Sequence, residues 1–201
     1  MPRSLRCHRH LVLIGLFLAL LGAGGSANAR TTDSLARAYA GLPDSRQATS
    51  NDVPEAGAAY GKTVDQSWIA YRNSTGQPAA NWAAKHIAAP AGGTVFYPFA
   101  GPDLVTVAQL FPAAERYVLV AMQPAQPPVD PLQLSEAARQ NFYRKFSGEW
   151  RKFGRLGFFR TNDLDADVRD KQVRIGLTPI LMAFAARLGH TGVEGSPTAQ
   201  R

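Results

Sequence analysis

Residues 94–122, TVFYPFAGPDLVTVAQLFPAAERYVLVAM, decide the fold of this chain. Residues 94–99 are β-branched and aromatic, which predicts a strand, and Pro98 indicates that this strand ends early or lies at a sheet edge. Residues 104–110 follow a Gly-Pro-Asp turn and predict a short helix. Residues 117–122 are apolar without interruption, as in a buried parallel strand. Strand, helix and strand in this order predict a layered α/β fold.

The C-terminal half adds helices to this pair of strands. Residues 130–133, Asp-Pro-Leu-Gln, have the order of a helix start and predict a helix that runs to about Phe153. Thr161 or Asn162 begins another short helix, and residues 180–188 predict a third that is apolar nearly all round and therefore buried. We predict an α/β domain with a small layered sheet and flanking helices. A polar tail stands where a third strand is expected, so an incomplete C-terminus is one expectation for this domain.

The N-terminus has the three parts of a secretory signal peptide. Three arginines and no acid lie before an apolar run over residues 11–21, and small residues then end in Ala27-Asn28-Ala29. The apolar run is shorter than the about 20 residues that a membrane-spanning helix needs. We therefore predict a signal peptide over residues 1–29 that is cleaved after Ala29, a periplasmic or secreted location, and no transmembrane segment after cleavage. The alternative is an uncleaved membrane anchor.

Cleavage at this point changes what the chain can do. It leaves 172 of the 201 residues, enough to bury the core of one domain. It removes Cys7, the only cysteine, so the mature chain has no disulfide, thiol catalyst or cysteine-based metal site. It also removes three arginines and no acid, which lowers the formal net charge from +7 to +4. Outside the cytoplasm nucleic acid is not an expected partner, whereas anionic lipid headgroups and cell-wall polymers are available polyanions.

Composition divides the mature chain into three parts. Residues 30–60 are rich in small and polar side chains and predict a flexible arm, because they bury too little apolar surface to offset the entropy of ordering. Residues 61–190 form the predicted α/β domain, with a turn at residues 74–78 and a short helix at residues 79–87. Residues 191–201 are predicted to be a disordered tail.

Three short motifs resemble a family of uncharacterised secreted bacterial proteins. They are FYPFAGPD at residues 96–103, FP at residues 111–112 and YVLV at residues 117–120, beside the family pattern YPFSGPD…FFP…YVLVGLEP. The resemblance covers residues 82–190 and implies no particular activity. The family has serine where this chain has Ala100 and glutamate where it has Gln123; if either side chain reacts in the family, this chain has lost that group. Family members are longer, and the chain resembles an N-terminal portion of them.

Asp103 is the leading candidate for a ligand-binding residue. In open α/β sheets, ligand sites gather at the carboxyl ends of the strands. Asp103 follows the first predicted strand, Tyr97 lies in that strand, and Gln123 follows the second. We predict that these three residues form a ligand site. The alternative is that Asp103 only caps the next helix, an arrangement that stabilises a helix by about 1 kcal/mol.

The long helix predicted from residue 130 has two contrasting faces when its residues are placed at about 100° intervals. The aromatic side chains fall on one face and are Phe142, Phe146, Trp150 and Phe153. The cations fall on the other and are Arg144, Lys145, Arg151, Lys152 and Arg155. We predict that the basic face contacts an anionic surface. The alternative is a core-facing aromatic side with an ordinary solvated basic side. Glu149 is expected to pair with Lys145, four residues before it.

The remaining patterns do not predict a metal or a cofactor. Three alternating aspartates at residues 163–167 have calcium-like spacing, but Val168 and Arg174 stand where an EF-hand loop requires glycine and glutamate. His86 and His190 lack the spacing of zinc ligands. No glycine-rich phosphate loop or dinucleotide-binding motif occurs.

Three aromatic residues allow two interpretations. Trp68, Tyr71 and Trp82 could form a platform that stacks on sugars, or they could belong to the hydrophobic core. Aromatic side chains in a partly irregular region favour the core.

The sequence leaves three functions open. The first is an exported, non-catalytic accessory domain that binds an anionic envelope component or a protein partner, which the signal peptide and the basic helix favour. The second is an enzyme, a hydrolase with its site around Asp103, although Ala100 and Gln123 replace more reactive side chains of the resembled family. The third is a truncated, inactive relative of that family.

Overall fold

The protein is a helix-rich α/β structure. The structure, a computed structural model, describes residues 12–14, 31–43, 55–88, 92–98, 103–120, 127–157, 178–190 and 194–196. Its helices are α1 (Thr32–Tyr39), α2 (Glu55–Tyr71), α3 (Gln77–His86), α4 (Leu104–Leu110), α5 (Glu136–Leu156) and α6 (Thr178–Arg187). Its strands are β1 (Val12–Ile14), β2 (Thr94–Tyr97), β3 (Arg116–Val120) and β4 (Glu194–Ser196). The predicted mixture of helix and strand is present, with more helix than the sequence indicates.

The sheet is parallel and has the strand order β2-β3-β1-β4. β2 pairs with β3, with Phe96 opposite Val118, and α4 connects the two strands as predicted. β2 ends before Pro98, which has no N–H to donate to a neighbouring strand. Tyr117 faces the core and is buried, whereas Phe96 on the opposite face is 64% exposed. The core therefore lies on one face of the β2–β3 pair.

The other two strands come from segments that were predicted to be a leader and a tail, and β1 lies inside the sheet whereas β4 lies at its edge. Val12–Ile14 pairs in parallel with β3 on one side and with β4 on the other. Glu194–Ser196 thus forms the strand that the sequence seemed to lack after the apolar helix. The sequence Glu-Gly-Ser has low strand propensity, so its strand conformation depends on pairing with β1.

The structure differs from the prediction of a flexible arm over residues 30–60. Residues 32–39 form α1, which begins at Thr31, whose hydroxyl accepts a hydrogen bond from the Ser34 N–H at 3.3 Å. Tyr39 is fully buried, and its ring lies 5.9 Å from that of Phe142. The small residues of this segment allow α1 to approach the rest of the protein closely, and one tyrosine then supplies the buried surface.

A π-helical segment, Arg72–Gly76, joins α2 to α3 where the sequence predicts a turn. Gly76 is buried against the ring of Tyr71, and a Cβ at this position would lie 3.1 Å from that ring. Pro78 lies in the first turn of α3, directly after the π-helical segment. Helical conformation is therefore continuous from residue 55 to residue 86.

The start of α5 corrects the helix predicted from Asp130. Asp130 caps only a 3-10 turn, Pro131–Gln133, by accepting a hydrogen bond from the Leu132 N–H at 2.9 Å. Leu134 is extended, with φ −78° and ψ 150°, which interrupts the helix. α5 then begins after Ser135, which acts as its N-cap, and ends at Gly157, which has φ +78°.

Aromatic side chains from α1, α2, α5 and α6 form a large part of the core, beside aliphatic residues of α4 and α6. They include Tyr39, Tyr60, Trp68, Tyr71, Phe142, Phe146, Trp150, Phe153 and Phe184. The Tyr71 and Phe153 rings lie 4.5 Å apart, and the Trp150 and Phe184 rings lie 5.6 Å apart. The Trp150 indole N–H donates to the Tyr60 hydroxyl at 3.1 Å, so both polar groups are satisfied within the core.

Glycine permits the close approach of α2 and α5. A Cβ at Gly154 would lie 2.8 Å from the Ser67 carbonyl oxygen, which is closer than van der Waals contact allows. Gly148, on the same helix, has no neighbouring atom within 4 Å of the corresponding position. The two glycines therefore have opposite roles in the stability of α5.

We predict that Gly154→Ala lowers the free energy of unfolding by about 1–3 kcal/mol, because the added methyl group forces α2 and α5 apart. Gly148→Ala is the matched control and should raise that free energy by about 0.5–1 kcal/mol, because alanine is the better helix former. Urea unfolding of the two purified variants measures both changes. Equal effects of the two substitutions would contradict the close helix contact.

Candidate functional site

The carboxyl ends of β2 and β3 lie at one edge of the sheet because the strands are parallel. Tyr97 is the last residue of β2, and Val120 is the last residue of β3. Asp103 immediately precedes α4, which leads from this edge back to the start of β3. The structure therefore places two of the three predicted ligand-binding residues, Tyr97 and Asp103, at the expected edge. Gln123 and Ala100 lie outside the described residues.

Asp103 occupies the N-cap position of α4 without acting as a hydrogen-bonding cap. Its backbone is helical, with φ −74° and ψ −3°, and its side chain accepts no hydrogen bond from the first turn. A capping residue normally has an extended backbone that directs its oxygen toward these N–H groups. The position predicted for Asp103 is thus correct, but the capping interaction is missing.

Burial raises the pKa of the Asp103 carboxyl above its ordinary value. Burial also raises the pKa of the Tyr97 phenol, and the charge of Asp103 raises it further. The carboxyl and the phenol therefore interact electrostatically at the edge of the sheet. A carboxyl group with a raised pKa is suited to donating or accepting a proton, which makes this edge a candidate site for acid–base chemistry.

The raised pKa of Asp103 predicts a pH dependence of stability. The folded protein holds this proton more tightly than the unfolded chain, so Asp103 destabilises the fold as pH rises from about 3.9 through the raised pKa. Asp103→Asn cannot titrate. Its free energy of unfolding, relative to that of the wild type, should therefore increase between about pH 3 and about pH 7. A decrease over this range would show instead that the ionised carboxylate is stabilised, as in a helix cap.

The basic and aromatic residues of α5 lie on different sides of the helix. Phe142, Phe146, Trp150 and Phe153 are buried in the core, so they are not available to an external surface. Arg144, Arg151 and Arg155 are exposed, whereas Lys145 and Lys152 are half-buried at the boundary. The predicted set of five cations thus separates into three exposed arginines and two lysines at the edge of the core.

The pairing of Glu149 differs from the prediction. Its carboxylate accepts a hydrogen bond from the Lys152 ammonium group at 2.8 Å, rather than pairing with Lys145. Glu149 is only 4% exposed, so Lys152 compensates a buried carboxylate. Lys145 lies four residues before Glu149 and Lys152 lies three residues after it, and both spacings allow an ion pair on a helix. Lys152 is consequently engaged within the protein.

The three exposed arginines have few partners. The Arg144 guanidinium donates to the Asn141 side-chain oxygen at 2.6 Å. Among the described residues, Arg151 and Arg155 form no ion pair or side-chain hydrogen bond. We call Arg144, Arg151 and Arg155 the arginine stripe. At about 100° per residue they fall within a narrow sector of the α5 surface.

The aromatic platform does not form. Trp68 and Tyr71 are buried, with 9% and 1% of their surfaces exposed, so the core interpretation is confirmed for both. Trp82 is exposed, and its ring lies 5.0 Å from the ring of His86 on the same helix. His190 is buried, and its ring meets the ring of Tyr117 edge-on at 5.9 Å.

The part of the chain that the structure describes contains no group of three histidine, cysteine or acidic residues that could hold a metal ion. The three aspartates at residues 163–167 lie outside it. Among the described helices, none combines the length and the apolar character that crossing a bilayer requires.

No family model matches the chain, and searches of curated proteins and of solved structures also found no match. The resemblance to secreted bacterial proteins drawn from the motifs around residues 96–120 therefore stays a prediction. The function has to be argued from the chemistry of the two sites described above.

Proposed function

We propose that this protein is an exported, non-catalytic binding domain that contacts an anionic component of the cell envelope through α5. The observation that carries this proposal is the arginine stripe. Its three guanidinium groups are exposed on the side of α5 opposite the buried aromatic residues. A cationic surface of this kind attracts polyanions by long-range electrostatics.

The local charge balance supports this proposal. Glu149 is the only acidic residue of α5 between Arg144 and Arg155, and it is buried and paired with Lys152. Among the side chains of α5, the exposed surface between the ends of the stripe thus carries positive charge alone. With a rise of about 1.5 Å per residue, Arg144 lies about 10 Å from Arg151 along the helix axis, and Arg151 lies about 6 Å from Arg155.

The burial of the aromatic face defines how α5 would bind. An amphipathic helix that inserts into a membrane needs free apolar side chains. Here Phe142, Phe146, Trp150 and Phe153 fill the core instead. Contact through α5 is therefore electrostatic, made by side chains that lie flat on an anionic surface. The proposed export supplies the compartment in which anionic lipid headgroups and wall polymers are the available partners.

The test compares two variants of equal net charge. Arg144→Gln/Arg151→Gln/Arg155→Gln removes the stripe, and Lys62→Gln/Lys85→Gln/Arg116→Gln removes three exposed cations from α2, α3 and β3. Each cation near an anionic surface contributes about 1 kcal/mol, so loss of the stripe should weaken binding to vesicles of phosphatidylglycerol and phosphatidylcholine about 100-fold at low salt. Cosedimentation measures the affinity, and added salt should weaken wild-type binding.

The control variant should retain most of the wild-type affinity. Equal losses in both variants would mean that net charge, rather than α5, determines binding. If the wild type shows no salt-sensitive binding to these vesicles, the proposal is wrong.

A second candidate function is hydrolysis at the sheet edge. It is favoured by the raised pKa of Asp103 and by the absence of a capping hydrogen bond, which leaves the carboxyl available for proton transfer. If Asp103 is a catalytic acid or base, Asp103→Asn should lower hydrolysis of chromogenic ester and glycoside substrates about 100-fold or more while the variant stays folded. Equal turnover by wild type and variant, or none by either, would rule out this candidate.

A further inference from the structure

We propose that Arg151 and Arg155 together bind one phosphomonoester group, so that the arginine stripe recognises phosphate chemistry rather than negative charge in general. The inference rests on the proposed function, because it specifies the anion that the same surface binds. It starts from a contrast within α5. All three exposed cations of the basic face are arginines, whereas its two lysines are half-buried.

Arginine and lysine differ in the anions they recognise. A guanidinium group is a planar fork that binds two oxygens of one oxoanion, whereas an ammonium group acts as a point charge. A surface that recognised charge alone would have no need for the fork. The composition of the stripe therefore indicates oxoanions that accept paired hydrogen bonds.

The spacing of Arg151 and Arg155 selects among oxoanions. Residues four apart are neighbours on a helix surface, so both guanidinium groups can reach the same anion. A carboxylate has two oxygens, and a single guanidinium group already donates hydrogen bonds to both of them. A phosphomonoester has three terminal oxygens and a charge near −2 at neutral pH, which matches two forks in both hydrogen bonds and charge.

The spacing of Arg151 and Arg155 also places two like charges side by side. Like charges four residues apart on a helix repel each other. Among the described residues no carboxylate pairs with Arg151 or Arg155, so this repulsion has no internal compensation there. A bound dianion would convert the repulsion into attraction.

The surface beside these arginines is open. Gly148 lies on the same sector of α5, between Arg144 and Arg151, and no atom lies within 4 Å of the position that its Cβ would take. A side chain at residue 148 would cover the helix surface one turn before Arg151. Its absence leaves room for a phosphate group and for the sugar or glycerol that bears it.

The experiment replaces arginine by lysine, which keeps the positive charge of each side chain and removes its paired hydrogen-bond donors. Arg151→Lys/Arg155→Lys is compared with Arg72→Lys/Arg116→Lys, a control with two exposed arginines changed elsewhere. Binding is measured on phosphatidylcholine vesicles that contain either phosphatidic acid, a phosphomonoester lipid, or oleic acid, a carboxylate lipid, at matched surface charge. We expect the stripe variant to lose about tenfold in affinity for the phosphatidic acid vesicles only, and the control to lose little for either.

The outcomes separate this inference from the proposed function. If the wild type binds neither kind of vesicle, the proposed function fails. If the wild type binds both kinds of vesicle, and the lysine variant binds each as tightly as the wild type does, the surface recognises charge alone. In that case only the present inference fails.

A competition arm identifies the source of the phosphate. Inorganic phosphate is added to protein bound to phosphatidic acid vesicles, with sodium chloride at the same ionic strength as the control. Displacement by phosphate beyond the chloride effect indicates a soluble phosphate ligand. Equal effects of the two salts indicate that the protein binds the phosphate group as part of a lipid headgroup.

Discussion

The packing of the aromatic face of α5 against α2 and α6 is the interaction on which the rest of the structure depends. Trp150 and Phe153 lie at the centre of it, in ring contact with Trp68 of α2 and Phe184 of α6. Gly154 allows the two helices to approach at Ser67, and the Trp150–Tyr60 hydrogen bond satisfies the polar atoms that this approach buries. Cys7 is the only cysteine of the chain, so the chain has no internal disulfide and relies on such packing for its stability.

This packing also determines which groups reach the surface. Because the aromatic residues fix the rotation of α5 about its axis, Arg144, Arg151 and Arg155 point away from the core, and Lys152 remains close enough to neutralise Glu149. The same core holds Tyr117 of β3 beneath the sheet, and with it the edge where Asp103 and Tyr97 lie. The two candidate sites therefore depend on one core, and their side chains differ in charge, a carboxyl group at the sheet edge and guanidinium groups on α5.

The sequence predicted the elements that carry their own local signals. α4 has the predicted bounds, and α6 is buried on nearly all sides, as its uniform apolar composition indicates. The sequence missed features that depend on partners distant in the chain. Residues 32–39 resemble a linker by composition, yet Tyr39 gains its burial from Phe142 and Phe146. For the same reason the partner of Glu149 could not be chosen from spacing, and Glu194–Ser196 became a strand only through β1.

The central claim is that α5 presents its arginine stripe to an anionic surface. Cys7 is the only cysteine of the chain, so in a Cys7→Ser background a single fluorophore can be attached at Gln140→Cys, one turn before Arg144 on the same sector of α5, or at Lys85→Cys on α3. Vesicles containing phosphatidic acid and a lipid with a nitroxide headgroup then report which label approaches the surface. The account predicts strong quenching of the label at residue 140 and weak quenching at residue 85. Equal quenching at both positions, or stronger quenching at residue 85, would contradict it.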